Sequence, residues 1–170
     1  INAGEIPLSH WTQDKNIGGG RVNGEVCHFI DLARDIIGYE IIDHYVSVLG
    51  PISRNTEFSD KVSITLSFKD GSLANIHYLA NGHKGFSKER IDVFTSGRVL
   101  QLDNFRRLFG WGWKGFKSLK NLRQDKGQIN CVSRFINAIE KGDKAPIPKN
   151  QIFEVTRVSL DISNSIRERS

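Results

Sequence analysis

The sequence predicts an α+β domain with a mainly antiparallel sheet, and three observations carry that expectation. Segment 62–68 alternates Val62, Ile64, Leu66 and Phe68 with Ser63, Thr65 and Ser67, the period of two that buries one face of a strand. It runs into Asp70-Gly71, and a second turn pair, Ser96-Gly97, lies between two further apolar runs; such pairs close hairpins, which join antiparallel neighbours. Helical periodicity appears in three places, 24–37, 126–140 and 151–166, outside the run of strands. Strands grouped together in this way exclude the strand and helix alternation of a doubly wound nucleotide-binding fold.

Residues 1–20 show no sustained periodicity and end at Gly18-Gly19-Gly20, where the backbone can turn sharply at positive φ. In segment 24–37, Val26, Phe29, Ile30, Ala33, Ile36 and Ile37 recur at helical spacing and Gly38 supplies a C-terminal cap. Strands are expected over 40–49, 61–68, 72–80, 89–95 and 98–102. Pro146 and Pro148 separate the two closing helices. With no internal repeat or low-complexity tract, residues 1–170 read as one domain.

Composition narrows the function classes. A hydrophobic fraction of 38% and a charged fraction of 25% suit a folded soluble protein. No apolar run approaches the roughly 18 residues of a membrane span, and the first residues lack the pattern of a secretory signal, so a cytoplasmic address without a membrane partner is expected. The absence of methionine reads as a fragment of a longer polypeptide. Cys27 and Cys131 lack the spacing of a zinc cluster or a disulfide framework and are expected as reduced, packed thiols. The 24 basic against 19 acidic residues give a net charge of +5, which favours anionic ligands without selecting one.

On an ideal helix the stripe Val26, Ala33, Ile37 faces the core, while Gly24, His28, Asp31 and Asp35 fall opposite. His28 would then have room beside it at Gly24 and a carboxylate at i+3 in Asp31, an arrangement suited to acid–base work near neutral pH. The plainer alternative is an exposed helical histidine with an ordinary surface partner. Gly110, Gly112 and Gly115 match the dinucleotide fingerprint by spacing. Trp111 and Trp113 occupy the loop, however, and no βαβ unit surrounds it, so it is not read as a phosphate cradle.

Segment 104–124 holds six basic residues, Arg106, Arg107, Lys114, Lys117, Lys120 and Arg123, and no acidic one, interleaved with Phe105, Phe109, Trp111, Trp113 and Phe116. Cations with stacking surfaces suit single-stranded nucleic acid, a nucleotide diphosphate or a sugar ring, unless the aromatics pack back onto the sheet. No nucleic-acid module accompanies them, which disfavours nucleic acid as the partner. His10 with Trp11, and His83 with Lys84, stand in loops of the kind that carry binding residues. His77 lies within a strand. The histidines lack the spacing of a helical metal pair, and no metal is expected.

The stretch GGGRVNGEVCHFIDL, residues 18–32, resembles the glycine corner and helix of the Gfo/Idh/MocA oxidoreductases, whose usual form is three glycines, an aspartate, a histidine and an Ile-Asp pair. The segments INAGEIPLSHW, HYLANGHKGFSKERIDVF, RVLQLDNF, RQDKGQ and EVTRVSLDI extend the resemblance over most of the chain. It implies a C-terminal domain with a large, mainly antiparallel open sheet and helices on one face, of the glucose-fructose oxidoreductase and glyceraldehyde-3-phosphate dehydrogenase-like type. It further implies an N-terminal Rossmann domain outside this chain, which would hold NAD or NADP and carry a lysine in a Glu-Lys-Pro motif.

By this resemblance His28 matches the catalytic histidine of an oxidoreductase acting on a hydroxyl or carbonyl of a sugar or nucleotide sugar. The family's aspartate, four residues earlier, is replaced by Gly24, with a carboxylate one place later in Glu25. Glu25 can substitute only if the glycine corner delays regular helix geometry. Arg21, His10 and Lys84, in matching loops, are candidates for substrate contact. The same kinship implies a homo-oligomer through the open sheet face. Competing readings are a polyanion-binding module using segment 104–124 and a purely structural dimerisation domain.

Overall fold

The alternating segment forms strand β2 (Lys61–Phe68), hydrogen-bonded between β1 (Ile41–Val48) and β3 (Leu73–Leu79) in an antiparallel three-stranded sheet. The computed structural model describes residues 1–7, 9–14, 17–50 and 60–168. The chain divides into two compact units, Ala3–Gly82 with Ile147–Ser170, and Ile1–Asn2 with His83–Pro146.

In the first unit, helices α1 (Cys27–Ile37) and α3 (Lys149–Glu168) pack against the three-stranded sheet. The core lies on one sheet face, where Val62, Ile64, Leu66 and Phe68 are buried together with Val46, Ile76 and Tyr78. Register explains the grouping: Val46 and Ile76 flank Ile64, and Tyr78 pairs with Val62, so their side chains share a face. The helices contribute Val26, Ile30, Val155, Val158, Ile162 and Ile166. Each such side chain contributes about 1.5–3 kcal/mol when fully buried.

The opposite face is polar. Ser63 Oγ and His77 Nδ1 lie 3.0 Å apart, and Thr65 Oγ1 donates to Asn75 Oδ1 at 2.9 Å. The β2–β3 turn is closed by Gly71 at φ +86°, with Gly71 N donating to Phe68 O and Phe68 N to Ser72 O. Asp70 accepts from the backbone and hydroxyl of Ser72, which hold its carboxyl below the ordinary range.

Helix α1 turns the expected stripe slightly. Val26, Ile30 and Arg34 are its buried positions, while Ala33 and Ile37 are only half-buried. A buried arginine on an apolar stripe needs a partner, and Glu154 of α3 supplies it at 3.0 Å. The same Glu154 oxygen accepts from the Ile41 backbone N–H at 2.7 Å, so a single carboxylate ties α1, β1 and α3. Gly38, at φ +81°, caps α1.

The second unit contains an antiparallel sheet of β4 (Arg90–Thr95), β5 (Arg98–Asp103), β6 (Arg107–Trp111) and β7 (Ser118–Lys120) in sequential order, and helix α2 (Gln128–Lys141). Ser96 at φ +46° and Gly97 at φ +73° make the expected two-residue hairpin. The described strands thus form two antiparallel sheets within an α+β chain. Strands β6 and β7 run through the basic, aromatic segment 104–124. Trp113 Nε1–H donates to Val99 O, the Arg98 guanidinium stacks over the Trp113 ring at 4.9 Å, and Phe116 lies where a Gly110 side chain would be, 2.7 Å from its Cβ position. Gly112, at φ +74°, would bring a Cβ within 2.8 Å of Gly97 O. Two glycines of the fingerprint-like run therefore serve the packing of aromatics and hairpins. Trp111 and Phe94 stay exposed.

Both cysteines are free. Cys27 is half-buried and donates to Asn23 O at 3.0 Å, and burial pushes its thiol up. Cys131 is exposed on α2, contrary to the expectation of a packed thiol.

Candidate active site

The glycine corner is built by close approach. A Cβ on Gly18 would fall 2.3 Å from Thr12 Cα and 2.5 Å from Trp11 O, so the short 3-10 turn Trp11–Gln13 can lie against the corner only because residue 18 has no side chain. Gly20 N–H donates to Thr12 O at 2.9 Å, and Gly18 and Gly19 N–H groups donate to Asp14 O. His10 caps the 3-10 turn: its Nδ1 accepts from Thr12 N and lies 2.8 Å from Thr12 Oγ1. His10 is therefore part of the corner, with its ring near the exposed Trp11.

From the corner the chain enters a π-helical turn, Val22–Val26, before the regular α1. Cys27 N–H reaches back to Val22 O, the i−5 bond that widens the turn. Regular α-helix geometry therefore begins only at Cys27. The Glu25 carboxylate is nevertheless engaged within the fold: Oε2 accepts from Arg21 Nη2 at 3.0 Å and from the hydroxyl of the buried Tyr78. Burial first, and the adjacent Glu25 carboxylate second, push the Tyr78 hydroxyl far above its ordinary range, so it remains a donor.

Arg21 is only 5% exposed and spends its guanidinium on the chain itself. It donates to Gly4 O at 2.7 Å and Ala3 O at 3.2 Å, pairs with Glu25, lies 3.9 Å from Asp60 and rests over the Tyr78 ring. Arg21, Glu25 and Tyr78 thus fasten the N-terminal arm to the helix start. Tyr78 and the Arg34–Glu154 pair were missed in the sequence; the signal for Tyr78 was its place on the inward phase of β3, two residues after Ile76.

His28 stands on the exposed side of α1, opposite Ile30. Among the described residues its side chain makes no hydrogen bond; Asp31 is near enough to feel its charge without bonding to it. Burial and the neighbouring Asp35 raise the Asp31 carboxyl above its ordinary range, while His28 pulls it back. Gly24, one turn before His28, is exposed, and nothing lies within 4 Å of the position a Cβ would take. The arrangement offers an imidazole in open space, a carboxylate beside it and no side chain on the turn before. Lys84 lies in an exposed loop of the second unit, and the other four candidates belong to the first.

Among the described residues, no group of three or more His, Cys, Asp or Glu side chains is placed to hold a metal ion, and no helix is long and apolar enough to cross a membrane.

No family sequence model matches the chain, and no curated protein matches it significantly. Solved structures do. The chain is similar to UDP-N-acetylglucosamine 3-dehydrogenase from Acidithiobacillus ferrooxidans, at 16% identity and a TM-score of 0.66 over 84% of this chain and 46% of that one. It is also similar to aldose-aldose oxidoreductase from Caulobacter crescentus complexed with glycerol, at 17% identity and a TM-score of 0.71 over 98% and 51%. A levoglucosan dehydrogenase in complex with NADH and levoglucosan matches at 18% identity and a TM-score of 0.72 over 98% and 53%. The chain spans about half the length of the solved structures it matches. Its fold is the α+β fold of the C-terminal domain of Gfo/Idh/MocA-type oxidoreductases.

Proposed function

We propose that this chain is the substrate-side domain of an NAD(P)-dependent Gfo/Idh/MocA oxidoreductase acting on a hydroxyl or carbonyl carbon of a sugar or nucleotide sugar. The observation that carries the reading is His28, exposed beside the open face at Gly24 in a chain whose fold is shared with sugar oxidoreductases. His28 would take the substrate hydroxyl proton in the oxidising direction and return it to the carbonyl oxygen in reverse, and a nicotinamide, when bound, would supply the hydride chemistry. Arg21, Glu25 and Tyr78 hold the arm that carries His10 and Trp11 against the helix start, so their part is positioning.

The one fingerprint-like run leads out of an antiparallel strand, and the places where side chains would sit at Gly110 and Gly112 are already filled. The cofactor is accordingly assigned to the length of such oxidoreductases that this chain does not span. Calorimetry of the 170-residue chain with NADH is expected to be flat, whereas the longer protein binds. A saturable micromolar signal with stoichiometry near one on the chain alone would overturn this division of labour.

The polar face of the three-stranded sheet, with Ser63, Thr65 and Ser67 and the exposed Tyr45, is proposed as a self-association surface, since α1 and α3 already cover the other face. Sedimentation at micromolar concentration is expected to show mostly dimer, and Thr65→Arg is expected to shift it to monomer. A strict monomer across that range contradicts the assignment.

A further inference from the structure

We infer that Asn2 is a positioning residue whose side chain sets the loop 83–88, and that this loop receives a negatively charged group of the substrate at Lys84 and the His83 ring. This rests on the reading of the chain as a substrate-side domain. Asn2 and the loop belong to the same compact unit.

Residues 81–88 are all exposed, and the Phe86 side chain is 72% exposed. A loop that buries no side chain has no packing to order it, yet this one is pinned by hydrogen bonds. The Asn2 backbone N–H donates to Lys88 O at 2.7 Å, and the Asn2 amide Nδ2 donates to His83 O at 2.9 Å and to Phe86 O at 3.3 Å. Inside the loop, Phe86 N–H donates to His83 O and Gly85 N–H to His83 Nδ1, both at 3.1 Å. Asn2 Oδ1 is buried with no partner among the described residues, so the side chain acts through its two donations. The next residue fixes the end of the loop: Glu89 is 3% exposed, its carboxylate accepts from Lys126 Nζ at 2.6 Å, and its carbonyl accepts from Asn104 N at 2.7 Å. Bonding of this density around wholly exposed side chains orders what the loop displays, since it encloses no core.

What it displays suits an anion. His83 Nδ1 accepts from Gly85, which puts the proton of the neutral ring on Nε2 and leaves that N–H as the ring's donor. Gly85 permits the arrangement, since a Cβ there would lie 3.2 Å from Nδ1. Lys84 follows His83 directly, and its ammonium has no ion-pair partner among the described residues. Lys88 is of the same sign, and the one carboxylate between residues 83 and 90, that of Glu89, is buried and neutralised by Lys126. Apart from the Ser87 hydroxyl, the polar side chains exposed on the loop offer donors and positive charge. An ionised phosphate ester or carboxylate, rich in acceptor oxygens, matches that set; a neutral hydroxyl gains less from it.

The test uses the full-length protein with its own cofactor, on sets of sugars that differ at one carbon in bearing a hydroxymethyl group, its phosphate ester or a carboxylate. Wild type is expected to prefer a charged member, and whether that is the phosphate or the carboxylate identifies the source of the charge. Lys84→Gln is expected to raise KM for the preferred member by about 10- to 100-fold. Its kcat, and both constants for the neutral member, are expected to change by no more than about 3-fold. Asn2→Leu removes both side-chain donations without adding charge. It is expected to raise the same KM by about 10-fold, and the double variant to fall well short of the product of the two effects, because the order of the loop matters through what it presents. No wild-type preference for a charged member, or no effect of Lys84→Gln, would overturn the inference while leaving His28 in place. Equal losses on charged and neutral members in Asn2→Leu, or effects that multiply in the double variant, would overturn the positioning role of Asn2. No turnover of any member by wild type would remove the oxidoreductase reading and this inference together.

Discussion

In the full-length protein, His28→Ala and His28→Asn are expected to lower turnover by about two to four orders of magnitude, the usual contribution of a positioned acid–base group. Stability is expected to hardly change, because the side chain is exposed and its truncation opens no packed cavity. Glu25→Gln separates the two carboxylate roles. It removes the charge that faces the buried Arg21 and the Tyr78 hydroxyl, so its first effect is expected in the melt, with activity falling as the arm loosens. Single-turnover hydride transfer and thermal melts on the three variants distinguish these outcomes. Normal turnover in His28→Ala, or a loss that merely tracks unfolding, would make the histidine structural. Full activity loss in a Glu25→Gln protein of unchanged stability would instead make Glu25 the proton-transfer group and correct its assignment as a positioning residue.

The parts of this arrangement that were legible in the sequence are those with a strict period or a turn signal. Alternation along Val62 to Phe68 gave β2 at its observed limits, and Asp70-Gly71 and Ser96-Gly97 gave their hairpins. The basic, aromatic segment was harder to read because β6 is short, with Gly110 inside it, and only the register brings Leu108 opposite Leu102 and Leu119. Such cross-strand pairing has no local periodic signature. The displaced carboxylate was visible as Glu25 after Gly24, whereas its partners lie far away in sequence: Tyr78 comes from β3, and the arm carbonyls from Ala3 and Gly4. Arg34 illustrates the same limit, since its charge gave it no place among the apolar residues marking the α1 stripe, and the residue that neutralises it lies in α3.

That pair carries the largest expected effect on stability. Glu154→Ala is expected to destabilise the chain by about 3–5 kcal/mol, the range for removing one member of a buried ion pair. Two groups lose their acceptor at once: the Arg34 guanidinium and the Ile41 N–H, both served by Oε1. Glu154→Gln keeps an acceptor for Ile41 but leaves the arginine charge without an anion, so an intermediate loss is expected. The pair need not be stabilising relative to an apolar pair, because burying two charges costs desolvation that their attraction only partly returns. Arg34→Leu with Glu154→Leu is therefore expected to recover much of the loss, short of wild type because Ile41 N–H remains unpaired. Urea denaturation of the single and double variants measures this, and high salt is expected to change the Glu154→Ala difference little, since both partners are shielded from solvent ions. A Glu154→Ala loss below about 1 kcal/mol, the range of exposed pairs, would mean that Arg34 finds water or another anion when Glu154 is gone and that the junction of α1, β1 and α3 is held by its apolar contacts alone.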